Sequence, residues 1–584
     1  MIKNRIPGDM GKYALREISR NKTTTFISSF LLIASGFLDA IGLSLIVPTV
    51  NVLVLEDGYS SKGQFVGIIK NAFDILGIPY SLKFFLLAIA AIMLIRSMFI
   101  MMQISYSGII RANYILNMRV KYLDKLKKSS WRYLKSQSQS KLLNITTLEI
   151  QRSGTCFLNL QQAIASIGTL IIYLGFLFLI STKMTLFAIL SAIFLSLIFS
   201  VLLKIARKIG EKEGRAGDSF FKKFTESISL SKYLRAHGKD GIMEDEIHSS
   251  LKNLRSIHVK SGVNDAVFLA TYEYAFIGFI SLGLLIGSQY LNLDGSQLAL
   301  ISLVFYRLFQ KTKTAQQHLQ FMSKNIPATK YVEEEINNIE KNFQVWGDKE
   351  FDIINKSIEF NDLMLKWDGK VILKKVNLKI KPGTINLFLG PSGEGKTTLI
   401  DCAAGIIKPE SGSVKFDNND ISDFSEKSFK SKISYVDQNA TLLNESIINN
   451  IKWGSDHISK SEIYKISKDL NIHDKIKSLK NGYNTNVGDR GINLSGGERQ
   501  RIIITRSLIR KPSILILDEA INQLDSKSKV PILDVLSKLK GKMTIFIISH
   551  SDDAIEISDN IFEVSQHSLK RLRKDTNWKN YFKL

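Results

Sequence analysis

Six long, nearly uncharged apolar runs decide most of what this chain can become. The hydrocarbon core of a bilayer is crossed by roughly 20 mainly apolar residues. Runs of that length stand at roughly 24–55, 82–108, 157–181, 184–204, 265–290 and 297–320. The first is far longer than the apolar core of a signal peptide, so it reads as a retained span. An even number of spans puts both chain ends on one side. The loops say which side. The segment before the first run carries Lys3, Arg5, Lys12, Arg16, Arg20 and Lys22, and the connections 111–152 and 204–260 are also rich in Lys and Arg. The connections near 56–81 and 291–296 carry few positive charges. By the positive-inside rule both termini are expected in the cytoplasm of a multi-pass protein of the cell membrane. The formal net charge of +24 is spread over segments flanking the spans. It therefore points to an anionic membrane surface rather than to nucleic acid, which is not expected as a partner.

The two long inner connections repeat apolar residues at helical spacing, as in Ile115, Met118, Tyr122 and Leu126, and in Phe221, Phe224 and Ile228. Membrane helices that continue into the cytoplasm are expected there. In the sixth run Arg307, with Lys311 and Lys313, reads either as the lining of a basic substrate cavity or as the cytoplasmic exit of its helix. Asp39 and Arg96, near the middle of the first and second runs, are costly groups, each about 2.5–3.5 kcal/mol unless it meets a partner or a cavity. They read either as the polar lining of a substrate cavity or as an interhelical pair such as Asp39 with Arg96. Two cysteines, Cys156 and Cys402, have no companion Cys or His at metal-ligand spacing and read as reduced structural thiols.

The pattern changes after about residue 350. The expected division is a helical membrane domain over 1–330, a linker over 331–350 and a soluble α/β domain over 351–584. Residues 385–405, INLFLGPSGEGKTTLIDCAAG, are a strand-like run, then G-x-x-x-x-G-K-T, then a helical pattern. That is the setting a phosphate-binding loop requires. Gly390, Gly393 and Gly395 let backbone N–H groups approach phosphate, Lys396 reaches the terminal oxygens, and Thr397 offers a hydroxyl to Mg2+. Pro391, Ser392 and Thr398 complete the expected ATP-binding loop. The segment SILILDEA, 513–520, ends a buried strand with Asp518, for Mg2+, and Glu519, placed to polarise an attacking water.

Between these lies LSGGERQR, 494–501. It resembles the signature sequence of ABC-transporter ATPases, with Glu498 where glutamine is commoner. The resemblance covers the whole chain and is to half-exporters of the type IV, B-family-like group. It implies an ATPase coupled to transmembrane transport, using ATP and Mg2+. It also implies that Ser495, Gly496 and Gly497 bind the nucleotide held by a second subunit, which makes a dimer necessary, with a homodimer favoured. Trp367 matches the aromatic that stacks on adenine. Gln438 matches the glutamine that senses Mg2+, and His550 the switch histidine at the γ-phosphate. Asp525 matches an acid at the subunit boundary, and Asp489, in VGDRG, stands where a glutamate is usual. Departures are AINQL after Glu519, which puts contacts at Ile521 to Gln523 in question, and Glu394 within the phosphate loop.

The first and sixth spans, FLDAIGLSLIVPTV and LVFYRLFQK, resemble those of lipid-linked oligosaccharide flippases at Asp39, Pro48, Arg307 and Leu308, while Gln310 departs from them. The resemblance implies an exporter or flippase for an amphipathic substrate, a lipid-linked glycan or lipid. A peptide, bacteriocin or multidrug exporter fits the same pattern. An ATP-regulated receptor or channel is disfavoured by the presence of both Glu519 and His550, and a soluble repair or translation ATPase by the spans.

Overall fold

In a computed structural model of the chain, residues 6–573 are described except 47–48, 50–73, 76, 78, 80, 291–294, 440, 456, 523 and 550–551. Pro48, Gln523 and His550 thus lie outside the described residues. The chain divides into two units: residues 1–129 with 133–342, and residues 130–132 with 343–584.

The first unit is helical. Its elements are α1 (Ile6–Arg20), α2 (Lys22–Ser44), α3 (Leu82–Lys128), the short helix α4 (Trp131–Ser136) from residue 133 on, the short helix α5 (Gln139–Asn144), a π turn, then α6 (Ile150–Ile180), α7 (Thr182–Ala236), α8 (Asp240–Gln289) and α9 (Gly295–Lys341). Among the described residues, α2, α3, α7 and α8, and the helical run containing α6, are long and apolar enough to cross a membrane. The sixth expected span, 297–320, falls on α9 but is not among these five; it carries Arg307, Lys311 and Lys313. At 1.5 Å per residue, the 47 residues of α3 extend about 70 Å, more than twice the thickness of the hydrocarbon core. The 55-residue α7 and 50-residue α8 are longer still. The connections expected to be helical are therefore continuations of the spans themselves. Only Ser181 separates α6 from α7; its extended backbone ends one helix, and its hydroxyl caps the next by accepting from the Met184 N–H.

Aromatic packing joins three of the long helices. Phe199 of α7 stacks on Tyr272 of α8 at 4.9 Å, and Tyr272 meets Phe309 of α9 edge-on at 5.5 Å. Asp39 is fully buried on α2 and is held by two other helices. Arg96 Nε of α3 lies 3.1 Å from its Oδ1, and the Tyr173 hydroxyl of α6 donates to its Oδ2. The interhelical pair is formed.

The second unit has two sheets. β1 (Ile358–Trp367), β2 (Lys370–Ile380), β4 (Ser411–Phe416) and β5 (Asn419–Asp420) make an antiparallel sheet in the order β2-β1-β4-β5. The other sheet runs β10-β9-β3-β8-β7-β6. In it β3 (Ile385–Leu389), β6 (Ile433–Val436), β7 (Ile514–Asp518), β8 (Thr544–Ile548) and β9 (Asn560–Ser565) are parallel, and β10 (Ser568–Leu572) is an antiparallel edge. Every residue of β3, β7 and β8 is buried, as parallel strands covered on both faces require.

Candidate functional site

The site forms where the parallel strands end, the usual place for ligands in open α/β sheets. From β3 the chain enters the loop 390–395 and then α10 (Lys396–Ala403). Gly390 and Gly395 have φ of 136° and 96°, which side-chain-bearing residues rarely adopt. A Cβ on Gly390 would also collide with the Val564 carbonyl. Pro391, Ser392 and Gly393 are exposed along the loop, with Thr398 half-buried in the first turn of α10. Lys396 is 5% exposed, and its Nζ donates to the carbonyls of Gly390 and Pro391 at 2.6 and 2.8 Å. Burial lowers its pKa, against the opposing pull of Glu519, Asp518 and Glu394.

Thr397 and Asp518 are brought together although far apart in sequence: Thr397 Oγ1 donates to Asp518 Oδ1 at 3.2 Å. The other carboxylate oxygen accepts from the Tyr435 hydroxyl at 3.1 Å. Burial pushes Asp518 upward, while the hydrogen bonds from Thr397 and Tyr435 pull it back. Tyr435 was not singled out by sequence reasoning, because an aromatic in ISYV reads simply as strand core. What brings it to the site is the pairing of β6 with β7, where it stands opposite Ile516, two residues before Asp518.

Glu519 leaves β7 with φ of 50°, a strained backbone for a glutamate, anchored by its N–H to the Ile548 carbonyl at 3.0 Å. Its Oε2 accepts from Gln438 Nε2 at 2.9 Å. A cavity of about 260 Å³ is lined by Gln438 and Glu519 together with Gly496, Arg490, Arg499 and Gln500.

Ser495 is the N-cap of α15 (Gly496–Ile509), which follows α11 (Glu426–Ser431), α12 (Ile447–Lys452), α13 (Lys460–Asp469) and α14 (His473–Ser478). Glu498 closes a reciprocal capping box with Ser495, so glutamate serves where glutamine is commoner. Ser495 and Gly496 remain exposed, and Gly497 is half-buried. Asp525 caps α16 (Ser526–Leu539) through its backbone and is exposed. Trp367 ends β1 opposite Lys370 and is half-buried. In the segment after Glu519, Ile521 packs into the core and Asn522 accepts from the Ser549 hydroxyl at 2.6 Å, which accounts for an apolar residue in that loop. In the first unit, Arg307 is half-buried on α9, and its Nε has no hydrogen-bond partner among the described residues.

A P-loop ATPase fused to helices of membrane length defines an ATP-driven membrane transporter. Residues 373–522 match the ABC transporter family, and residues 25–312 match the ABC transporter transmembrane region. The chain is 29% identical over 438 residues to an ATP-dependent lipid A-core flippase of Desulfotalea psychrophila, covering 73% of this chain and 75% of that one. It is 26% identical to the heterocyst differentiation ATP-binding protein HepA of Nostoc sp., over 74% of this chain and 72% of that one. A second lipid A-core flippase, of Syntrophus aciditrophicus, is 37% identical over 36% of this chain and 35% of its own length. Among solved structures, a bacterial Atm1-family ABC exporter with ATP bound has the same fold, with a TM-score of 0.80 at 19% identity, covering 97% of this chain and 96% of that one. The chain belongs to the ABC transporters, as a half-transporter of the B-family type: an integral membrane protein with one nucleotide-binding ATPase domain.

Proposed function

We propose that two copies of this chain form an exporter or flippase that moves an amphipathic substrate, a lipid or lipid-linked glycan, away from the cytoplasmic side of the cell membrane. The reading keeps six spans, cytoplasmic termini and a cytoplasmic ATPase domain, with the domains divided near 330–350. The observation that carries the ATPase part is the convergence of Lys396, Thr397, Asp518, Glu519 and Gln438 at the ends of β3, β6 and β7.

Thr397 and Asp518 put a hydroxyl and a carboxylate side by side, a hard-oxygen pair that suits Mg2+, with Gln438 as a further ligand. When bound, Mg2+ would neutralise charge on the phosphate oxygens. Lys396 exchanges its loop carbonyls for the terminal phosphates, and Glu519, held by Gln438, takes the proton of the attacking water. Trp367 stacks on adenine and His550 contacts the γ-phosphate. Ser495, Gly496, Gly497 and Asp525 belong to the face presented to the other copy's nucleotide. The uncovered N–H groups at the start of α15 supply the anion-binding character.

The lipid reading is supported by the two related lipid A-core flippases and by Arg307, half-buried within the membrane region with an Nε that has no hydrogen-bond partner among the described residues, whereas Asp39 and Arg96 serve as an interhelical pair. Hydrolysis measured in liposomes, with polyprenyl-pyrophosphate glycans, lipids and peptides added in turn, tests it. Stimulation by the glycans or lipids is expected; stimulation by peptides alone would exclude the lipid reading. Hydrolysis by Glu519→Gln at the wild-type rate would exclude the catalytic assignment.

A further inference from the structure

A cleft of about 880 Å³ opens between α7 and α8, within the first unit and away from the Asp39 cluster. Its walls are single faces of two antiparallel helices. Ile209, Ala216 and Ile257 cluster between the two helices, and the contacts of Phe199 with Tyr272 and of Lys223 with Glu246, one on either side of them along the helices, fix the register. Leu202 and Ile205 then stand level with Val263 and Val267 at one end. Lys212 and Arg215 lie toward the other, with Lys208 and Lys260 at the junction. The apolar end coincides with the ends of the spans expected at 184–204 and 265–290, and the four cations come immediately after. The cleft therefore straddles the level at which lipid headgroups meet hydrocarbon.

The four cations are exposed, and none has a carboxylate partner within 4 Å among the described residues. Neighbouring cations are paired: Arg207 lies 3.5 Å from Glu211, and Lys324 lies 3.4 Å from Glu213. Like charges gathered on one concave surface repel each other unless an anion joins them. Cationic pockets between membrane helices are suited to acidic headgroups.

We propose that this cleft binds an anionic phospholipid of the bilayer. Its phosphate sits among Lys208, Lys212, Arg215 and Lys260, and an acyl chain lies along Leu202, Ile205, Val263 and Val267. A soluble anion would leave the apolar end uncovered, and a zwitterionic lipid would bring no net charge to the cations. The site is independent of the cargo and of the ATPase chemistry; only its assignment to the cytoplasmic leaflet rests on the orientation argued above.

The test uses the full-length protein in phosphatidylcholine nanodiscs containing a small fraction of phosphatidylglycerol with a photoactivatable acyl chain. Labelled peptides are mapped by mass spectrometry. Label is expected within residues 202–219 and 253–267. It should fall several-fold in the combined variant Lys208→Gln, Lys212→Gln, Arg215→Gln and Lys260→Gln, and competition by unlabelled phosphatidylglycerol should exceed that by phosphatidylcholine. The competition on wild-type protein decides the matter even if the variant fails to fold. Equal competition by the two lipids, or unchanged labelling of a folded variant, would overturn the proposal. So would efficient crosslinking from a photoreactive group at Ser256→Cys to a second copy of the chain, which would make the cleft a protein interface.

Discussion

Asp39 is the residue on which the membrane unit's polar chemistry turns. A carboxylate buried between α2, α3 and α6 is tolerable because Arg96 and Tyr173 meet it. Replacing Asp39 by Asn leaves Arg96 without its counter-charge, and a loss of about 3 kcal/mol is expected. The measurement is thermal unfolding in detergent, with the double variant Asp39→Leu, Arg96→Leu recovering much of the loss. An unchanged melting temperature in the single variant would mean that the pair has no structural weight. In the ATPase unit, Tyr435→Phe removes a donor to a buried carboxylate oxygen, with an expected cost of about 1–3 kcal/mol. Equilibrium unfolding of the wild type and of Tyr435→Phe measures it. Glu519→Gln leaves the shape of the side chain but removes the proton acceptor, so hydrolysis should fall about 100-fold or more while ATP binding persists. Parallel binding and turnover assays separate the two effects.

At the scale of elements, the cap of α15 carries a pH dependence. Burial pushes Glu498 up, but the Ser495 N–H and Lys475 outweigh it and hold the carboxylate below its ordinary value. An acid held low adds stability above its unfolded pKa and loses it as pH falls through the folded one. The stability difference between wild type and Glu498→Gln should therefore be present at neutral pH and vanish in acid, as followed by thermal unfolding across pH. A difference that persists in acid would assign the cap's strength to geometry alone.

The elements also explain what the sequence disclosed. INLFL and ILILD were legible as strands because burial on both faces demands unbroken apolar runs, and the glycines of the phosphate loop were legible because all three take positive φ and Gly390 and Gly395 leave no room for a Cβ. Tyr435 was not, since its hydroxyl bond depends on which strand lies beside β6. The pairing of Asp39 with Arg96 stood in the sequence only as one of two readings. Helical periodicity says which face a residue occupies but not which helix it meets.

For the whole molecule, the decisive proposal is that one chain cannot complete its own ATP site. Lys396 and Glu519 serve one nucleotide, and the exposed turn Ser495–Gly496 serves the nucleotide of the other copy. Symmetry then gives two composite sites per dimer. The most direct measurement mixes two inactive variants, Lys396→Ala and Ser495→Arg, co-expressed and purified together. Each alone has no intact composite site and should hydrolyse ATP at background rate. A mixed dimer brings the intact Lys396 of one chain to the intact Ser495 of the other, so activity should return well above either variant. A mixed dimer that stays at background, or near wild-type hydrolysis by Ser495→Arg alone, would contradict the divided site.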